Sequence, residues 1–248
     1  MTERRRGLTA AGAIKAILAI QIGIAVILFS RDMATVMPRL SLAPAAPQLT
    51  SPVSPGDQRR RYDPRRVPVN PGLPDTGDMP SRLLFEDSGD MLQITGVIAP
   101  GDAMRFGDWL EAHDLPETVM LNSTGGSVAD ALDIGRTLRA AGVHTAVGVD
   151  AVCLSACPYI LASGTERKVN SGGYIGVHQH FFGASELLPA FIAVEDIQRG
   201  QAEVVEYLSE MGIDLRLMRH SLATPPDEIY ILTAQELIDY SLATEITE

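Results

Sequence analysis

The stretch from Leu121 to Phe181 constrains this chain more than any other. It reads LNSTGGSVADALDIGRTLRAAGVHTAVGVDAVCLSACPYILASGTERKVNSGGYIGVHQHF. Three apolar runs in it each end on a distinctive group: a pair of adjacent glycines, a serine among small residues, and a histidine. Short β-like runs alternating with helical periodicity require a layered α/β fold built from ββα units. No fixed-length repeat is visible, which argues against a solenoid of identical units.

Order is expected to begin near Arg82. Leu83–Glu86 and Met91–Ile98 read as strands of a hairpin joined by Asp87-Ser88-Gly89-Asp90, a run of turn formers. A helix follows from Pro100-Gly101-Asp102 to about His113, with Met104, Trp109 and Leu110 spaced for one buried face. Glu117–Leu121 is the next strand, leading into a turn at Asn122–Gly126. Ser127 is placed to cap a helix whose face carries Ala131, Ile134 and Leu138, and Gly142 ends it. His144–Val149 reads as a strand and 155–162 as a helix. Strands follow around Lys168 and at Tyr174–Val177. The long helix expected over about 186–211 is amphipathic, with Val204, Leu208 and Met211 on one face.

The first 80 residues are different in kind. They hold 11 Arg or Lys against 6 Asp or Glu, whereas the remaining 168 hold 9 against 25. So acidic a second part repels phosphate backbones, which argues against nucleic acid as its partner. Arg4, Arg5 and Arg6 precede a mainly apolar segment, 9–30, about long enough to cross a bilayer as a helix, and Lys15 is placed to snorkel to the interface. The arginines predict a cytoplasmic N-terminus and a remainder outside the cytoplasm, in the periplasm of a two-membrane cell. A cleaved signal peptide is the competing reading. Its only nearby small-x-small site, Ala43-Pro44-Ala45, is remote from the apolar run and carries a proline, which favours an uncleaved anchor. Residues 31–80 hold 10 of the 16 prolines and a cluster of arginines, the composition of an extended, disordered linker. Its arginines suit either anionic lipid or plain solvent. The expected organisation is therefore an anchor over 1–30, a linker over 31–80 and a folded domain over 81–248.

The chemistry concentrates at the three run ends. Adjacent glycines at a strand-to-helix junction allow positive φ and can aim successive N–H groups at one point, a nest for a developing oxyanion; an ordinary turn explains them equally. Ser155, where a strand gives way to a helix, can present Oγ from a tight bend with a neighbouring N–H free, or can merely cap the helix. His178, 23 residues later at a strand terminus, suits a general base, though a lone histidine there is more often structural. Cys153 and Cys157 read as two small buried thiols, with mutual pairing as the alternative. With His180 they match no standard zinc spacing, so no metal and no cofactor is expected.

Taken together, LNSTGGSV, CLSACPYILASG, IGVHQ and the closing LTAQELIDYSLATEI resemble, in order, the oxyanion segment, nucleophile elbow, histidine strand and final helix-strand of the Clp protease proteolytic subunit and its ClpP/crotonase-fold relatives, including membrane-anchored periplasmic ClpP-like proteins. The resemblance spans about Leu83 to the C-terminus. It implies Ser155 as nucleophile, His178 as base, and the N–H groups of Gly126, Gly125 and Ala156 as oxyanion donors. The reaction implied is ATP-independent peptide hydrolysis through an acyl-enzyme, on peptides or unfolded chains, by a homo-oligomer. Pro225 stands where the family has its aspartate, so the third catalytic place passes to Asp227, the nearest acid. That departure supports an alternative, a catalytically impaired scaffold acting through its amphipathic helix. A crotonase-like acyl-CoA enzyme fits less well, because an acidic extracytoplasmic domain is a poor host for an anionic cytoplasmic cofactor.

Overall fold

The computed structural model describes residues 10–36, 58–61, 79–180 and 190–248. They fall in two units, Met1–Ala45 and Ala46–Glu248. The first contains one helix, α1 (Ala10–Val36), and the side chains of 14–29 are all exposed. Among the described residues no helix is long and apolar enough to cross a membrane. The span expected over 9–30 is therefore not shown.

In the second unit two sheets share a long central strand, and the two ββα steps that follow it each send one strand to each sheet. The strands are β1 (Arg59–Arg61), β2 (Leu84–Asp87), β3 (Met91–Ile98), β4 (Thr118–Gly126), β5 (His144–Val147), β6 (Val152–Leu154), β7 (Arg167–Asn170), β8 (Tyr174–Val177), β9 (Glu228–Ile231) and β10 (Glu245–Thr247). The first half of β4 pairs parallel with β5, followed by β7 and β10. At Ser123 it pairs with β6, followed by β8, β9 and β1. The helices are α2 (Asp102–Ala112), α3 (Val128–Ala141), α4 (Cys157–Ala162), α5 (Ala190–Glu210), α6 (Met218–Ala223) and α7 (Ala234–Asp239).

Local sequence accounts for most of these boundaries. Strand β3 alternates strictly, burying Leu92, Ile94 and Ile98. Ser127 caps α3 by accepting from the Asp130 N–H, and Gly142 closes it at φ 72°. Thr233 and Glu236 form a reciprocal capping box on α7. Asp102, fully buried, accepts from the N–H groups of Leu83 and Ala99 and from Arg82 and Arg105, tying α2 to the opening hairpin. In α5, Val204 and Leu208 are buried as expected, with Tyr207 between them and Met211 just beyond. Residues 186–189, where that helix was expected to start, lie outside the described residues.

Three expectations are corrected. Met104 is 71% exposed; the buried face of α2 is set by Asp102 and Phe106, two residues from Met104 and so on the far side of a 3.6-residue turn. Asn122–Gly126 is the end of a strand, because β3 supplies partners as far as Ile98, opposite Gly126. A Cβ on Gly126 would collide with the Ile98 carbonyl, so glycine is what permits the two strands to approach. Within the proline-rich 31–80, α1 continues to Val36, and 58–61 dock on β9 as an antiparallel edge strand, with the Ile231 N–H donating to the Gln58 carbonyl at 2.6 Å. An open sheet edge recruits any backbone that can reach it, and such pairing leaves no side-chain periodicity to read.

Candidate active site

Strands β6 and β8 are parallel neighbours, with Cys153 opposite Ile175 and Leu154 opposite Gly176. The residues that follow them, Ser155 and His178, therefore emerge along one sheet edge. The Ser155 N–H donates to the Gly176 carbonyl at 2.9 Å, fixing the two chains at that point. Beyond it the backbone turns sharply: Ser155 has φ 60°, a left-handed conformation that costs a non-glycine residue about 1 kcal/mol or more and is found at functional bends. Pro158 in the first turn of α4 resumes a right-handed helix at once. Ala156 occupies the cap position of α4 with no side-chain cap bond, so Ser155 is not held there as an N-cap.

The serine hydroxyl faces the histidine, with His178 Nε2 2.8 Å from Ser155 Oγ. On the other side of the ring, Nδ1 lies 3.1 Å from the Pro226 carbonyl oxygen. A carbonyl only accepts, so Nδ1 carries the proton and Nε2 is left to accept from the serine O–H, the tautomer a general base needs. Burial lowers the His178 pKa, and the backbone groups of Pro226, Glu228 and Pro225 offset this only in part. The ring is thus neutral and basic at neutral pH.

Asp227 is exposed, whereas the hydrogen bond described at Nδ1 comes from the residue before it. The turn after Pro225-Pro226, closed by the Glu228 N–H on the Pro225 carbonyl at 3.0 Å, brings the Pro226 carbonyl to the ring. A backbone carbonyl orients the imidazole as a carboxylate does but carries no charge to stabilise the imidazolium.

Of the three glycine and alanine positions, Ala156 follows the serine directly, and among the described residues no hydrogen bond takes its N–H. Gly126 sits at the paired end of β4. The Gly125 N–H is committed to Ser123 Oγ at 3.1 Å. Gly125 matters through its bareness: at φ 89°, a Cβ there would lie 2.6 Å from Ser155 Cβ and 2.8 Å from the Ala156 nitrogen, and would strike the Leu154 carbonyl.

The two cysteines are not free thiols. Cys153 and Cys157 form a disulfide, with S–S 2.03 Å, on either side of Ser155. The bend at Ser155 brings together positions whose spacing in sequence suits bonded and unbonded states alike. Neither sulfur is then available as a zinc ligand, and among the described residues no group of His, Cys, Asp or Glu is arranged to hold a metal.

Sequence reasoning missed a second layer. Burial pushes the Tyr159 hydroxyl well above its usual range, so it keeps its proton and donates to His180 Nε2 at 2.6 Å. Burial, with the charge of nearby His178, pushes His180 down to about 4. Tyr207 on α5 in turn donates to the Tyr159 carbonyl at 2.7 Å, so the helix after Ser155 is tied both to the chain leaving β8 and to α5. A small open pocket lies beside His178, lined by His178, Gln179, His180, Met218, Ser221 and Leu222.

No family model matches the chain. It is 32% identical over 134 residues to the ATP-dependent Clp protease proteolytic subunit of Chlamydomonas reinhardtii, a match covering 52% of this chain and 24% of that protein. The chain thus matches only about a quarter of the length of this curated relative. Among solved structures, a point-substituted form of ClpP1 from Listeria monocytogenes superposes with a TM-score of 0.51 at 20% identity, over 64% of this chain and 91% of that one. Sequence likeness to a Clp proteolytic subunit and structural likeness to ClpP1 agree on the fold: the second unit is a mixed α/β domain of the ClpP type.

Proposed function

We propose that this protein is a membrane-anchored, extracytoplasmic serine hydrolase, a peptidase that works through an acyl-enzyme on Ser155 without ATP. The observation that carries the reading is the 2.8 Å contact between Ser155 Oγ and His178 Nε2, made at a left-handed bend and with the base in the correct tautomer. In the first step Oγ attacks the scissile carbonyl as its proton passes to Nε2, and the Ala156 N–H receives the developing oxyanion with the help of the β4 glycine end. The imidazolium then protonates the leaving amine, the C–N bond breaks, and an ester remains on Ser155. Water, deprotonated by the same nitrogen, releases the acid and restores the serine. Substrates are peptides, exposed loops or unfolded chains, since no ATPase segment is recognisable. Self-association through the amphipathic α5 is part of the proposal.

The anchor rests on the apolar run 9–30 behind three arginines, and a buried disulfide fits an oxidising compartment outside the cytoplasm. Alkaline extraction of membranes and proteolysis from the outer face of the cytoplasmic membrane test it: release into the soluble fraction, or protection of the domain, removes the placement. The chemistry is tested by a fluorophosphonate probe on the full-length protein in detergent. Wild type labels and Ser155→Ala does not; equal labelling, or none in folded wild type, ends the hydrolase reading.

One observation favours a second reading. The neutral Pro226 carbonyl at Nδ1 suits a weakened catalyst, or a ClpP-fold scaffold that binds partners without cutting them. That reading predicts cellular function unchanged in both Ser155→Ala and His178→Ala.

A further inference from the structure

The nucleophile sits at the centre of a covalent loop of five residues. Cys153 is in β6, opposite Ser123 of β4 and Ile175 of β8, and so belongs to the sheet. Cys157 is the first residue of α4. Four residue steps of extended chain would separate their Cα atoms by about 13 Å, yet the Cα atoms are 5.0 Å apart. The bond therefore requires the chain to fold back between them, and Ser155, midway, is the residue that takes the left-handed conformation. Hydrogen bonds hold the bend at its two ends: the Ser155 N–H donates to the Gly176 carbonyl on the strand side, and the Ala156 carbonyl accepts from the Tyr159 N–H at 3.2 Å on the helix side, with no side-chain cap on α4. Both cysteines are fully buried, so the bond acts through the backbone it closes.

We propose that the Cys153–Cys157 disulfide is the positioning device for Ser155, holding Oγ against His178 so that reactivity at the serine belongs to the oxidised protein alone. The inference rests on the hydrolase reading for its kinetic consequence. Reduction by a dithiol breaks the S–S bond, gives two thiols at the cost of two electrons and two protons from the reductant, and leaves the reductant as its own disulfide. Once the closure is gone, the strained φ at Ser155 relaxes and Oγ leaves Nε2. Loss of a staple that served stability alone would lower the melting temperature and leave the reactivity of the folded protein as it was.

The test compares full-length oxidised wild type with Cys153→Ala/Cys157→Ala well below both melting temperatures, with circular dichroism confirming the fold. Two readouts are taken: the fluorophosphonate labelling rate, and the His178 titration by NMR of its ring proton. The expected result is labelling at least tenfold slower in the variant, with the His178 titration shifted from that of wild type. Unchanged labelling and unchanged titration overturn the proposal. If wild type itself does not label, the hydrolase reading fails, while the titration still decides whether the bond positions the pair. Should the double variant not fold, wild type is reduced in the folded state with a phosphine, thiols are counted by mass after alkylation, and the same readouts apply.

Discussion

His178 turns its Nδ1–H to the carbonyl oxygen of Pro226, 3.1 Å away, and the side chain of the next residue, Asp227, points to solvent. The His178 ring is thus oriented by main chain. Asp227→Asn is accordingly expected to change the labelling rate of Ser155 less than about threefold, whereas His178→Ala lowers it by several orders of magnitude, the loss typical for the base of such a pair. A hundredfold loss in Asp227→Asn would return the carboxylate to the third place.

Gly125→Ala tests how close the β4 end must come to Ser155. The added methyl meets Ser155 Cβ at 2.6 Å and the Ala156 nitrogen at 2.8 Å, all backbone or backbone-attached atoms, and alanine resists φ 89°. Labelling is expected to be lost, with the domain destabilised by about 2–4 kcal/mol in chemical denaturation. Gly142→Ala serves as the control: its φ is also positive, but open space surrounds it, so it costs about 1 kcal/mol and leaves labelling intact.

Those contrasts show what could be read in advance. That Ser155 and His178 meet was legible because each ends an apolar run, and parallel pairing of those runs brings their ends together. The caps at Ser127 and Gly142 were legible because residue type marks them, a short hydroxyl at one end and a glycine at the other. The Pro226 carbonyl was not, because a main-chain acceptor leaves no trace in residue identity. Nor was the disulfide, whose closure depends on the bend between the cysteines, or the docking of 58–61, which uses backbone alone. Met104 misled because it shares a period with Trp109 and Leu110 only loosely, and Phe106 claims the core.

The labelling rate has a predictable pH profile. Nε2 must be neutral to accept the serine proton, and burial holds the His178 pKa below its ordinary 6.5. Reactivity should therefore rise with pH through a midpoint below 6.5 and be level at neutrality. A midpoint at 7 or above would mean that the ring is stabilised as the cation, as by an ion pair with a carboxylate.

Stability should carry the signature of His180. Its folded pKa of about 4 lies below the unfolded value near 6.5, so the unfolded chain binds the extra proton first. The contribution is complete above pH 6.5 and is lost as pH falls toward 4, on the order of 2 kcal/mol across that window. Urea titrations of wild type and His180→Asn between pH 4 and 7.5 check it: the slope is expected to be shallower in the variant, and parallel curves would place the pH dependence elsewhere.

The edge strand β1 straddles the loop that orients His178. Arg59 Nη2 donates to the Ala223 carbonyl at 3.0 Å, before that loop, and Nη1 lies 3.7 Å from Glu228 Oε2, after it. Both side chains are substantially exposed, and exposed ion pairs contribute about 0–1 kcal/mol, so Arg59→Ala should shift stability within that range and labelling less than about threefold. The backbone pairing is the stronger tie, since it sets Arg61 opposite Glu228 and holds the start of β9 two residues after Pro226. Replacing 58–61 with prolines removes every N–H the strand could donate. That variant should keep its fold, slow labelling well beyond Arg59→Ala, and move the His178 titration, because the Pro226 carbonyl is then free to drift from Nδ1. Labelling as fast as wild type would show that the loop holds its own shape and that β1 merely covers an edge.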